Sequence, residues 1–197
     1  MPSHSPPPQV RETVGFTRMI DGTREDYELL ARYETRQAAE HPERILALLR
    51  GLEHSLDGYQ VTRLEHSLQT ATRALRDNAD DDLVTAALLH DIGDLLAPDN
   101  HAAFAAEILR PYLRPDCVWI VEHHGIFQLH YYGRHIGADP DAREKYRGHP
   151  NFDACLRFCE DWDQASFDPG YDSLPLEAFA PLVGEILSRK PWSQATP

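Results

Sequence analysis

Six side chains of metal-binding type are spread over about half of the chain: His66, the adjacent pair His90 and Asp91, then His101, His124 and Asp163. A helix advances about 100° per residue, so each can be placed against the apolar stripe of its own segment. In 151–165 the stripe of Phe152, Cys155, Leu156 and Cys159 continues to Asp163, which points inward, whereas Asp161 points away. In 116–124, His124 falls on the side of Cys117, Ile120 and Val121, and His123 turns off it. His101 shares a face with Phe104, Ala105 and Ile108. His66 lies opposite Leu64, Leu68 and Ala71 and faces either solvent or a polar cavity. His90 and Asp91 end the run DLVTAALLH, which is apolar nearly all round.

An ionised carboxylate in an apolar interior is expensive unless it is paired or binds a metal. A divalent cation would satisfy two such carboxylates and the inward imidazoles together, since Asp and neutral His are ordinary ligands of first-row metals. Taken singly, each residue also has a plain structural role open to it, a hydrogen-bonded core histidine or a buried salt bridge at Asp163. Cys155 and Cys159 lie among Phe152 and Leu156 and read as small core residues.

The elements that must position these groups read as helices, because apolar positions recur at three and four residues. Helices are expected over 25–39, 43–53, 61–77, 82–90, 101–110, 116–124, 151–165 and 175–188, with a loop-rich stretch at 125–150. Asp80, Asp81 or Asp82, then Asn100, Asp116 and Asn151, are the expected N-terminal caps. Residues 1–14, with Pro6, Pro7 and Pro8, read as a disordered leader, and 15–197 as a single all-α domain.

Composition removes several function classes. With 19 Lys and Arg against 32 Asp and Glu, the formal charge of −13 repels a nucleic-acid backbone over most of the surface. No stretch suits a bilayer span or a secretory signal, so no membrane role is expected. Three cysteines without CxxC spacing argue against a disulfide framework or zinc finger and make the cytoplasm the default location.

The ordered set of His, His-Asp, two further His and a distant Asp, together with ALLHDIGD, resembles the HD-domain superfamily, an all-helical bundle tied to metal-dependent phosphohydrolysis. The segments VTRLEHSLQTATRA, LLHDIGD, VEHHGIFQ and FCEDWDQASFDP further resemble its mixed-valent di-iron oxygenase branch, over about residues 15–185. That branch oxidises hydroxylated amino- or trimethylammonio-ethylphosphonates and cleaves the C–P bond with O2. The resemblance implies two Fe ions, Fe(II) and Fe(III), with Asp91 as the bridge. It assigns His66, His90 and Asp163 to one iron and His101 with His124 to the other. Mn or another divalent metal is the alternative, with phosphate-ester or nucleotide hydrolysis as the alternative reaction.

The chain departs from that branch at named positions. Leu56 and Tyr59 stand where its amino-substrate members carry a lid Tyr and Glu, Asp94 where they carry a phosphonate-contacting His, and Gln128 in place of a Lys. Asp91 and Tyr59 are the residues expected to take part in catalysis. Asp94 could pair with the ammonium group of a zwitterionic substrate or simply hold its loop, and Tyr59, Tyr131 and Tyr132 could offer it aromatic faces. Arg143 and Lys145, in the densest basic cluster, could meet acidic substrate oxygens or lie on the solvated surface. Glu65 and Glu122 could orient the neighbouring histidines. The expected partners are O2 and a small zwitterionic or anionic molecule.

Overall fold

The computed structural model describes residues 12–191, so the expected leader lies outside the described residues except for 12–14. Among the described residues there are helices and turns and no strand, which makes the fold all-α. No described helix is long and apolar enough to cross a membrane. The chain falls into two compact units divided after His41. In the first unit, α1 (Arg24–Ala39) is started by Thr23, whose hydroxyl accepts from the Asp26 N–H while the Asp26 carboxylate accepts from the Thr23 N–H. No residue of α1 is buried, as its polar sequence REDYELLARYETRQAA dictates.

The second unit holds the core. It contains α2 (His41–Gly51), α3 (Arg63–Arg76), α4 (Asp81–Leu89), α5 (His101–Leu109), α6 (Pro115–Ile136), α7 (Phe152–Arg157) and α8 (Leu176–Leu187). Helix α4 lies at its centre, against α3, α6 and α8, with Val84, Ala86, Ala87, Leu88 and Leu89 buried. Asp80 caps it, accepting from the Leu83 N–H at 3.0 Å. Thr62 caps α3 in the same way through Glu65 N–H.

Three expectations are corrected. Helix α6 does not stop at residue 124 but runs to Ile136, because Val121, His124 and Phe127 keep the buried side continuous through Gly125. It ends at Gly137, whose φ of +74° suits glycine. The helix expected over 151–165 is α7 followed by a π-helical turn, Phe158–Asp163, closed by Gln164 N–H donating to Cys159 C=O at 3.0 Å. Asn100 and Asn151 make no capping bond with their side chains, and Asp116 lies inside α6, whose first residue is Pro115.

Candidate metal centre

The bend that follows α4 brings the scattered ligand types together. His90 Nε2 lies 3.1 Å from Asp91 Oδ2 and 3.6 Å from Asp163 Oδ1. From α3, His66 Nε2 reaches the same two carboxylates at 3.3 and 3.2 Å, and sits 3.2 Å from His90 Nε2. The other oxygen of Asp91, Oδ1, faces His124 Nε2 at 3.2 Å and His101 Nε2 at 3.4 Å. Asp91 thus turns one oxygen to each of two imidazole pairs. Three groups converge closely enough to hold a metal ion: His66, His90 and Asp163; His90, Asp91 and His124; and Asp91, Asp94 and His101.

Local structure dictates this convergence. Gly93 packs so closely on α5 that an added Cβ would stand 2.5 Å from the His101 carbonyl oxygen, so glycine is what brings His101 up to Asp91. Asp163 ends the π-helical turn that packs on α3, and it is buried while Asp161 is exposed. His66 is buried on the floor of a cavity, and His101 retains 27 % side-chain exposure.

The donor set fits a cation. The Nδ1 atoms of His66, His90 and His124 lie 2.9, 2.8 and 2.7 Å from the carbonyl oxygens of Ser166, Ala87 and Val121. His101 Nδ1 lies 3.4 Å from both Pro98 O and Asp94 Oδ1. A carbonyl only accepts, so in a neutral ring Nδ1 carries the proton and Nε2 presents its lone pair to the centre. Lone pairs then face lone pairs and carboxylate oxygens, and the buried Asp163 Oδ2 has no hydrogen-bond partner. Positive charge between them removes the repulsion, and protons compete with metal ions to supply it. Burial opposes charge on His66 and His90, but Asp91 and Asp163 outweigh it and raise both above the ordinary range. Burial likewise works against ionised Asp91 and Asp163, yet the neighbouring cationic groups, His90 foremost, hold both below the usual carboxylate range.

Arg63, absent from the sequence reading, is the arginine of the site. It is buried, its guanidinium pairs with Asp91 Oδ2 through one terminal nitrogen, and its Nε donates to Asp94 Oδ2 at 2.6 Å. Burial opposes its charge, but the two carboxylates prevail and raise its pKa. Its place three residues before His66 puts both on one face of α3, which is the signal that could have found it. Arg63 shares its one positive charge between Asp91 and Asp94, so Asp94 lines the cavity as a partnered carboxylate.

A cavity of about 710 Å³ opens over the cluster, lined in part by Tyr59, Arg63, Asp94, Gln128, Tyr131 and Tyr132. Phe167 lies between Tyr59 and His66, stacked on the first at 4.8 Å and the second at 4.3 Å between centroids. Arg143 and Lys145 are not in its lining, which corrects the expectation for the basic cluster. Arg143 is buried beside Tyr131, and Lys145 is exposed with its ammonium 4.8 Å from the Tyr146 ring. Glu65 accepts from the Ser173 hydroxyl and Glu122 from Arg110, so neither is committed to a histidine.

Comparison with curated proteins finds no match. A family model described as the HD domain matches residues 63–163, about half of the chain and the stretch that runs from the buried arginine to the last aspartate of the cluster. Family proteins of this kind are metal-dependent enzymes, and the buried His and Asp groups are able to bind such an ion. The chain belongs to the HD-domain family.

Proposed function

We propose that this protein is a di-iron oxygenase that uses O2 to oxidise a small hydroxylated amino- or trimethylammonio-alkylphosphonate and cleave its C–P bond. The observation that carries the two-ion reading is Asp91, whose Oδ2 meets His66 and His90 while its Oδ1 meets His101 and His124. In this reading His66, His90 and Asp163 hold one iron, His101 and His124 the other, and Asp91 spans both. Iron in two oxidation states supplies the electron chemistry that O2 needs.

The remaining work falls to the chain itself. Backbone carbonyls hold the imidazoles with their Nε2 atoms turned inward, and Arg63 fixes the direction of Asp91. Phe167, stacked on His66 and covered by Tyr59, shields one side of the cluster from water. Tyr59, Tyr131 and Tyr132 offer faces for a substrate ammonium beside Asp94, which shares Arg63 with Asp91.

Protein loaded anaerobically with iron is expected to hold two ions per chain. On exposure to air with a 1-hydroxyethylphosphonate bearing a 2-amino or 2-trimethylammonio group it is expected to consume O2 and release phosphate in step. Phosphate release from esters or nucleotides under argon, with no O2 uptake, would replace the reading with metal-dependent hydrolysis, for which Mn or another divalent ion serves. Tight metal with neither reaction would leave a metal-stabilised scaffold.

A further inference from the structure

The cavity is larger than the proposed substrate head requires. At about 30 Å³ for each water-sized group, 710 Å³ holds on the order of 20 non-hydrogen atoms, more than twice what a two-carbon aminohydroxyphosphonate brings. Its chemistry changes with depth. The floor carries the clustered His and Asp groups, while Leu56, Tyr59, Leu95 and Tyr132 line the outer part and are 42 to 59 % exposed. Exposed large apolar side chains gathered at the mouth of one cavity mark a surface that gains from being covered.

The charge of the lining narrows what can cover it. Arg63 is the sole Lys or Arg that lines the cavity among the described residues, and Asp91 and Asp94 already neutralise it. Outward of the cluster the polar lining, Gln128 and Gln164 among it, carries no full charge beyond what a histidine can acquire. A polyanionic tail such as a triphosphate finds no counter-charge there, whereas an uncharged hydrocarbon body gains from burial against the aromatic and leucine walls.

We infer that the substrate is amphipathic, with one small acidic, hydroxyl-bearing head at the His and Asp cluster and an uncharged hydrocarbon body lying along Leu56, Tyr59, Leu95 and Tyr132. The inference rests on the two-metal reading for the head alone, and it gives Tyr59 and Tyr132 a hydrocarbon body to cover in place of the ammonium group. Each methylene drawn from water into such walls improves affinity by about fourfold.

The test measures affinity by calorimetry on iron-loaded protein held under argon, so that no turnover intervenes. The probes are two series of increasing chain length, 1-hydroxyalkylphosphonates and 2-hydroxyalkanoates, from two to ten carbons. Within a series that binds, the six-carbon member is expected to bind at least tenfold more tightly than its shortest member, with a plateau once the cavity is filled. The double variant Leu56→Ser and Tyr132→Ser, at exposed positions, should cut that ratio severalfold. Lengthening in the alkanoate series alone would uphold the amphipathic body and remove the phosphonate head. Affinity that is flat or falls with chain length overturns the inference while leaving the two-metal reading intact, and binding by neither series overturns it as well.

Discussion

Replacing Gly93 by alanine separates the two halves of the proposed centre. A Cβ built there would meet the His101 carbonyl oxygen at 2.5 Å, its Cα at 2.7 Å and its carbonyl carbon at 2.9 Å, all backbone atoms that cannot swing aside. Ordinary contact begins at 3.4 Å, so the His101 backbone must retreat by 3.4 − 2.5 = 0.9 Å. Metal–ligand distances tolerate about 0.2 Å, so a shift of that size removes His101 from the ligand set. His66 and Asp163 lie on other elements, and His90, three residues before Gly93, is held at the end of α4 with its Nδ1 on the Ala87 carbonyl, so these three stay. The expected result is one tightly held iron per chain instead of two, with a loss of about 1–3 kcal/mol in stability from overpacking. Gly125→Ala is the matched control, since nothing lies within 4 Å of its added Cβ although it adjoins His124. It should keep two irons and gain up to about 1 kcal/mol from better helix propensity. The assay is iron per folded chain by mass spectrometry, with thermal unfolding alongside. Two irons held at unchanged affinity in Gly93→Ala, or both lost from a folded chain, would refute the assignment of His101 to a separate position.

Asp163→Asn should cost the chain at least one ion, whereas Asp161→Asn, at an exposed position, should cost none; the same iron analysis decides it. Arg63→Met takes the guanidinium from buried Asp91 and half-buried Asp94 and leaves them their histidine contacts, so metal-free protein should lose about 1–3 kcal/mol in chemical denaturation, and metal loading should restore part of it by supplying the missing positive charge. His66 and His90 carry raised pKa values, so the stability they lend to metal-free protein is complete below their unfolded value of about 6.5 and fades as pH rises through the folded values. Chelated protein should therefore lose thermal stability above about pH 6.5 relative to iron-loaded protein, as paired melting curves across pH would show. All three cysteines are buried, and burial pushes Cys117 up to about 12 and Cys159 well above its ordinary range, so a thiol reagent at pH 8 should label none in the native protein and three after denaturation.

Much of the site was legible because helical phase is a local property. The stripe of Phe152, Cys155 and Cys159 placed Asp163 inward, and the unbroken apolar run before His90 placed the His-Asp pair away from water. What escaped depended on partners distant in sequence. Arg63 reads as a solvated helix-start residue until the bend after α4 sets Asp91 and Asp94 against it. Phe167 acquires meaning only when the turn after Asp163 folds over His66. Gly125 resembles a helix stop, yet packing of Val121, His124 and Phe127 carries α6 past it. Arg143 and Lys145 were grouped by composition, and composition says nothing about the direction of a side chain.

The π-helical turn at 158–163 makes the centre depend on spacing as well as on residue identity. Rewinding that turn as regular α-helix, with its residue count unchanged, would leave all six proposed ligands in the chain and all of its helices intact. Asp163 would nevertheless be carried about 100° around the helix axis, away from His66 and His90. A homologue of the same length that winds this stretch as plain α-helix could therefore retain every signature letter and still be unable to assemble the pair of ions, so the wide turn itself separates chains able to build the centre from look-alikes.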